Sequence, residues 1–258
     1  MGESDKINPE RELASLKGHS KHFLDANLLI GFSVKWDDMH SASAYYFDIS
    51  TAEYVTSIRV HEEARKVVET CRRRTLQVAA RVADDFSIGE EYRLIDDLQR
   101  FVDREFDDLK SPVKKYISHR ESIFQQLAHS PPDNLKNELQ QQIKQDFQVA
   151  VAFLQKLKTP ESSLHIWTDA PEDHSPTYPG KFSDLNQIME NSDDRDLLLD
   201  AYHYFEKQQE DSLLIATLDR SDFVEDRSAL EDTLRSIRIL DLLGLYRVTA
   251  GQTATHDH

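Results

Sequence analysis

Acidic side chains stand at the edges of apolar segments at widely separated places in this sequence. Asp25 lies in Phe23-Leu24-Asp25-Ala26-Asn27-Leu28-Leu29-Ile30, and Glu63 in Ser57-Ile58-Arg59-Val60-His61-Glu62-Glu63-Ala64. Asp194 opens Asp194-Arg195-Asp196-Leu197-Leu198-Leu199-Asp200-Ala201, and Asp219 and Asp222 lie in Ile215-Ala216-Thr217-Leu218-Asp219-Arg220-Ser221-Asp222-Phe223. Carboxylates that a fold draws together at such edges are costly unless a cation neutralises them. A hard divalent ion accepts an all-oxygen ligand set, so the chemistry to expect is metal-assisted hydrolysis of a phosphodiester. Such an ion lowers the pKa of bound water and neutralises charge on the phosphate and the leaving oxygen. No side-chain nucleophile is required, which suits a chain with no evident Ser-His-Asp or Cys-His arrangement.

A blander reading applies to each acid alone. An Asp after a strand is most often a turn or helix-cap residue, and Asp194, Asp196 and Asp222 fit that role as well as any other. Glu62 reads as the solvated neighbour of Glu63, with the two interchangeable by one residue of register. Several acids at the edges of apolar segments are harder to explain as independent caps.

The elements that must position these acids alternate between strands and helices. Strand character is expected at about His22 to Asn27, at Glu53-Tyr54-Val55-Thr56, at Leu164-His165-Ile166-Trp167 and at Ser212 to Leu218, with a further strand ending Ile237 to Leu245. Helices are expected over Trp36 to Phe47, from Ser57 onward with Ser57 as N-cap, over about Ser183 to Gln209 and near Arg227 to Arg235. Strands alternating with helices predict an α/β fold with a parallel sheet. Ligands of such sheets bind beyond the carboxyl ends of the strands. Asp25 and Asp219 follow apolar strands and fit that rule, and Asn27 joins Asp25 if the chain stays extended there. The middle of the chain differs in kind: Leu135, Leu139, Ile143, Phe147, Ala150, Val151 and Leu154 form one helical stripe of a helix-on-helix core. The termini, 1–17 and 247–258, are polar and read as flexible.

Composition bounds the reading. The 258 residues carry 47 acidic against 31 basic side chains, a formal charge of −16. That excess argues against a broad surface gripping nucleic acid nonspecifically and suits a salty cytoplasm, where screening makes self-repulsion tolerable. The single cysteine, Cys71, excludes an intramolecular disulfide, suits a reducing compartment and sits in a helical run as a small buried hydrophobe. No stretch has the length of a membrane span and no signal-peptide pattern opens the chain, so a cytoplasmic protein without a membrane partner is expected.

Taken in order, these motifs resemble those of the PIN-domain nucleases. The matching features are the Asp25-Ala26-Asn27 strand end, the Ser57 to Glu63 helix, the Asp194 to Ala201 helix start, and Thr217-Leu218-Asp219 with Asp222-Phe223 just beyond. The resemblance implies a three-layer α/β/α sandwich with a central, mainly parallel sheet. Its core would span 18–85 and 162–246, with a large helical insertion over 86–161. It also implies that Asp25, Glu63, Asp194 and Asp219 hold Mg²⁺ or Mn²⁺ and that the chain is an endoribonuclease. Asn27 and Thr217 would orient those acids, and Asp222 would be a further ligand. Either Asp219 or Asp222 could be the principal acid of its strand end. The family implies two rivals as well: a noncatalytic module binding RNA or protein, and a structure-specific DNA nuclease like the flap endonucleases. An insertion of this size commonly carries a substrate gate, a homodimer contact or a surface for a protein partner. A toxin–antitoxin ribonuclease with a small protein partner is another rival, and the insertion counts against it because those enzymes are usually compact.

Arg72-Arg73-Arg74 could hold RNA phosphates, although a solvated helix face pairing with local acids explains the triplet equally well. For His40, in Trp36-Asp37-Asp38-Met39-His40, an exposed position beside a helix cap is expected in preference to a metal role.

Overall fold

The computed structural model describes residues 7–85, 94–105, 110–123, 132–156 and 164–253. Five strands form one all-parallel sheet: β1 (Lys21–Leu24), β2 (Glu53–Ser57), β3 (Leu164–Trp167), β4 (Leu213–Thr217) and β5 (Ile237–Asp241). Their order is β3-β2-β1-β4-β5. Phe23 of β1 lies opposite Val55 of β2 and Ile215 of β4, and Thr217 of β4 lies opposite Asp241 of β5. Every residue of β4 is buried, as a strand covered on both faces must be, and its apolar run Leu213 to Ala216 is the sequence counterpart of that burial.

From β1 the chain builds outward through β2 to β3, then returns past β1 to add β4 and β5. Right-handed crossovers running in opposite directions along one sheet put their helices on opposite faces. Helices α8 (Pro179–Ile188), α9 (Ser192–Gln208) and α10 (Arg227–Leu234) accordingly pack as one group, with α9 against β2 and β4. Helices α1 (Pro9–Gly18), α3 (His40–Ile49) and α11 (Leu242–Thr253) pack as another, with α11 against β4. The architecture is a three-layer α/β/α sandwich.

Local chemistry moves several elements from their expected places. Residues 9–18 are helical rather than a flexible arm. Asn8 caps α1 by accepting from Arg11 N–H, and the buried Glu12 ion-pairs with Arg227 at 2.5 Å while accepting the N–H of Asp241 at 3.1 Å. Helix α2 (Ala26–Ser33) starts immediately after β1, so Asn27 is helical and exposed instead of extended beside Asp25. Helix α3 begins at His40, whose ring Nδ1 hydrogen-bonds to the Gly31 carbonyl at 2.9 Å. The final apolar segment gives β5 and then turns at once into α11, which runs to Thr253 where a flexible tail is expected. His256 to His258 lie outside the described residues.

The described residues divide into two compact units. The first takes 7–32, 39–64 and 155–253 and holds the sheet; the second takes 33–38 and the described part of 65–154. Helix α4 (Ile58–Asp85) begins in the first unit and continues into the second. Ser57 caps it, accepting from Val60 N–H at 3.3 Å. The second unit also contains α5 (Leu94–Glu105), α6 (Lys110–His119) and most of α7 (Pro132–Lys156). Leu139, Ile143, Phe147, Ala150 and Leu154 of α7 are all buried, the stripe expected from their spacing, whereas the side chain of Leu135 lies outside the described residues. Trp36 sits edge-on to Tyr116 and Phe147, each with ring centres 4.8 Å away. Cys71 is buried as expected, and burial pushes its thiol up to about 12. Among the described residues no helix is long and apolar enough to cross a membrane.

Candidate metal centre

Strands β1 and β4 are neighbours from which the chain departs in opposite directions, so the connections beyond their carboxyl ends part and leave a crevice. Asp25 follows β1 directly and is only 3% exposed. The Thr217 hydroxyl, at the end of β4, donates to Asp25 Oδ2 at 2.9 Å and accepts the N–H of Asp219 at 2.9 Å. Asp25 also carries the helix-cap role that an isolated Asp suggests: its carboxylate accepts from the backbone N–H groups of Ala26 and Asn27. Cap and site member are the same residue. What Asn27 supplies to Asp25 is its backbone N–H rather than its side chain.

The turn after β4 explains why the spacing of its two acids is ambiguous in sequence. Asp219 Oδ1 accepts from the Ser221 hydroxyl at 2.8 Å and from Asp222 N–H at 3.2 Å, which folds Asp222 back beside Asp219. Arg220 reaches outward to Asp241 at the end of β5, 3.2 Å away, and the fully buried Phe223 anchors the turn in the core. Asp194 approaches from the first turn of α9, whose cap residue Asn191 accepts from Asp193 N–H and donates its amide to Asp194.

One ligand oxygen from each of Asp194, Asp219 and Asp222 can be chosen so that all three lie within 4.8 Å of one another. Oxygens held on one ion at about 2.0–2.4 Å lie at most about 4.0–4.8 Å apart, so the three carboxylates could hold a metal ion. Both acids of the β4 turn therefore belong to the group. Glu63 and Asp25 extend it electrostatically. Burial pushes the Asp25 carboxyl up to about 6, against the pull of its Thr217 hydrogen bond, and the Glu63 charge adds to the rise. Burial pushes Asp194 up to about 7, reinforced by the charges of Asp25, Asp222 and Asp219 and by a hydrogen bond to Asp222. Neighbouring carboxylates thus add to the cost of ionising Asp25 and Asp194, which burial already makes high. Glu63 is an acid whose charge Asp25 registers.

Outside this group, Arg72 and Arg73 line an open groove of about 580 Å³ along α4, together with Arg65 and Lys66. Arg72 also hydrogen-bonds to Glu69 at 3.0 Å, and Arg74 to Gln77 at 3.4 Å. Sequence reasoning overlooked Arg59 and Arg220. Arg59 lies one turn before Glu63 and bonds to Asp196, two residues beyond Asp194. Its signal was present in the motif itself, since residues four apart share a helix face. For Arg220 the partner Asp241 is on another strand, and nothing in the local sequence announces it.

Fold and site together define an α/β/α protein with an acidic crevice at the switch point of its sheet. Compared with protein-family models, curated proteins and solved structures, the chain finds no match.

Proposed function

We propose that the chain is a metal-dependent endoribonuclease of PIN-like type, hydrolysing RNA phosphodiesters with Mg²⁺ or Mn²⁺. The observation that carries this reading is the meeting of Asp194, Asp219 and Asp222 at the carboxyl ends of β1 and β4, with Asp25 and Glu63 electrostatically coupled to them.

When bound, a divalent ion supplies water activation and neutralises charge on the phosphate. The chain's own residues do the rest. Asp194, Asp219 and Asp222 are the ligands, and Asp25 and Glu63 complete the negative field that favours a doubly charged ion. Thr217 fixes Asp25 Oδ2, and the N–H groups at the start of α2 hold the Asp25 carboxylate in one orientation. Asp194, whose carboxyl is pushed up to about 7, would give up its proton to hold an ion, so metal binding would release protons and strengthen as pH rises toward 7. Arg65, Lys66, Arg72 and Arg73 of the second unit offer cations suited to backbone phosphates, a local exception in a chain of charge −16.

Cleavage of single-stranded RNA, hairpin RNA and branched DNA, each with Mg²⁺, with Mn²⁺ and after exhaustive chelation, tests the proposal. Metal-dependent RNA cleavage that chelation abolishes supports it. Cleavage surviving chelation rejects the metal mechanism, preference for branched DNA replaces RNA as the substrate, and binding without cleavage makes the chain a noncatalytic module.

A further inference from the structure

Arg59 stands where three segments meet. Its Nη1 donates to Asp196 Oδ2 at 2.6 Å, in the second turn of α9. Its Nη2 donates to the carbonyl oxygens of Pro171 at 3.1 Å and Glu172 at 3.3 Å, in the loop that follows β3. Its Nε lies 3.8 Å from Asp200 Oδ2, and the other oxygen of Asp200 is held by His174 Nε2 at 2.7 Å. The side chains of Asp200 and His174 are fully buried, while that of Arg59 is 33% exposed. One guanidinium thus ties the first turn of α4 to α9 and to the 169–178 loop. Its planar fork of donors is the only side-chain geometry that serves so many acceptors at once.

The two helices it joins are those that carry acids of the site. Glu63 lies one turn beyond Arg59 on α4, and Asp194 lies about half a turn before Asp196 and nearly two turns before Asp200 on α9. Glu63 on α4 and Asp194 on α9 are both acids, and like charges on two helices push them apart. A bond between the helices at this end opposes that push. It does so with a positive charge that is bonded to Asp196, outside the ligand set.

We propose that Arg59 is a positioning residue that holds the Glu63 helix and the Asp194 helix at the separation the metal site requires. This rests on the metal reading above. The role belongs to the fork as well as to the charge. A lysine at 59 keeps the charge and reaches one acceptor, but it cannot hold Asp196 and the two loop carbonyls together.

The test measures Mn²⁺ binding by titration calorimetry at a temperature where every protein is fully folded, together with crystal structures of the metal-free parent and Arg59→Ala. Arg59→Ala weakens Mn²⁺ binding by roughly 10- to 100-fold, as loss of an outer-shell support does. Arg59→Lys recovers part of the loss. Asp196→Ala loses affinity in the same direction, and the double variant loses less than the sum of the two. In the crystals, the Glu63 and Asp194 carboxylates move apart in Arg59→Ala. A merely structural Arg59 lowers the melting temperature and leaves the Mn²⁺ affinity and the carboxylate separation as they are in the parent, which overturns the proposal. A parent that binds no Mn²⁺ overturns the metal reading of the site, and the separation measured in the two crystals then decides Arg59 by itself.

Discussion

Asp146 in the helical unit and Asp194 beside the sheet are both half-buried acids, and their surroundings treat them oppositely. Asp146 accepts from the Tyr116 hydroxyl at 2.9 Å, from Arg120 Nε at 2.8 Å and from the Gln142 amide at 3.0 Å. Its bond to Arg120 raises the guanidinium's pKa further, so acid and base stabilise each other's charge. Glu12, buried between α1 and β5, is matched in the same way by Arg227. Asp194 instead faces Asp25, Asp219 and Asp222, and its carboxyl is pushed up to about 7. Burial is common to these groups and cannot identify a site. The sign of what surrounds the acid separates them: a paired acid is architecture, and a cluster of acids could hold a cation.

The largest effect that sharpens this contrast is expected at Asp194. Asp194→Asn should lower metal-dependent RNA cleavage by at least about 100-fold, in the range seen when a charged group is lost from a reacting centre. The same change removes a like charge, so the metal-free melting temperature should hold or rise. Undiminished cleavage by the variant would refute the assignment. Asp146→Asn should do the reverse. It strands Arg120 and costs about 3 kcal/mol of stability, while cleavage per folded molecule stays within about twofold of the parent. A denaturant melt and a cleavage assay on the same preparation read both, and a variant that keeps its stability breaks the contrast from the helical side.

A smaller effect follows from protons. Asp25 and Asp194 rise from 3.8 to about 6 and about 7 in the folded chain, so between these values the metal-free folded state holds more protons than the unfolded one. The stability they contribute is fully present below about pH 4 and is lost as pH climbs through 6 and 7. The metal-free melting temperature should therefore fall between pH 5 and pH 8 more steeply in the parent than in an Asp25→Asn, Asp194→Asn double variant. Mn²⁺ affinity of the parent should rise over the same window, since the ion displaces those protons. Equal slopes for parent and double variant would show that the two carboxyls are not coupled to folding. The mildest expected change is Thr217→Val, which removes the bond to Asp25 Oδ2 and the acceptor for Asp219 N–H. It should weaken Mn²⁺ binding by about tenfold, measured by calorimetry.

Periodicity made the sheet readable. The apolar run Leu213 to Ala216 announces a strand buried on both faces, and Asp25 and Asp219 follow their strands as acids at strand ends should. Long-range partners were not readable. Residues 9–18 look polar because the helix they form is docked through Glu12, whose partner Arg227 lies 215 positions away. Asn27 looked extended beside Asp25, yet Asp25 caps α2 and turns the chain helical at once. The acids of the site were visible one by one, and the hydrogen bonds that fold Asp222 back onto Asp219 belong to a turn whose geometry the residue types allow but do not dictate. Arg59 was hidden for a related reason: its acceptors include two main-chain carbonyls, which every sequence has everywhere.

Anomalous diffraction from a crystal soaked in Mn²⁺ near pH 8 tests most directly whether the acidic crevice is a metal centre. A peak should appear between Asp194, Asp219 and Asp222, about 2.0–2.3 Å from one oxygen of each. Density showing those three side chains ordered around no peak, at an ion concentration that saturates other metalloenzymes, would contradict the account.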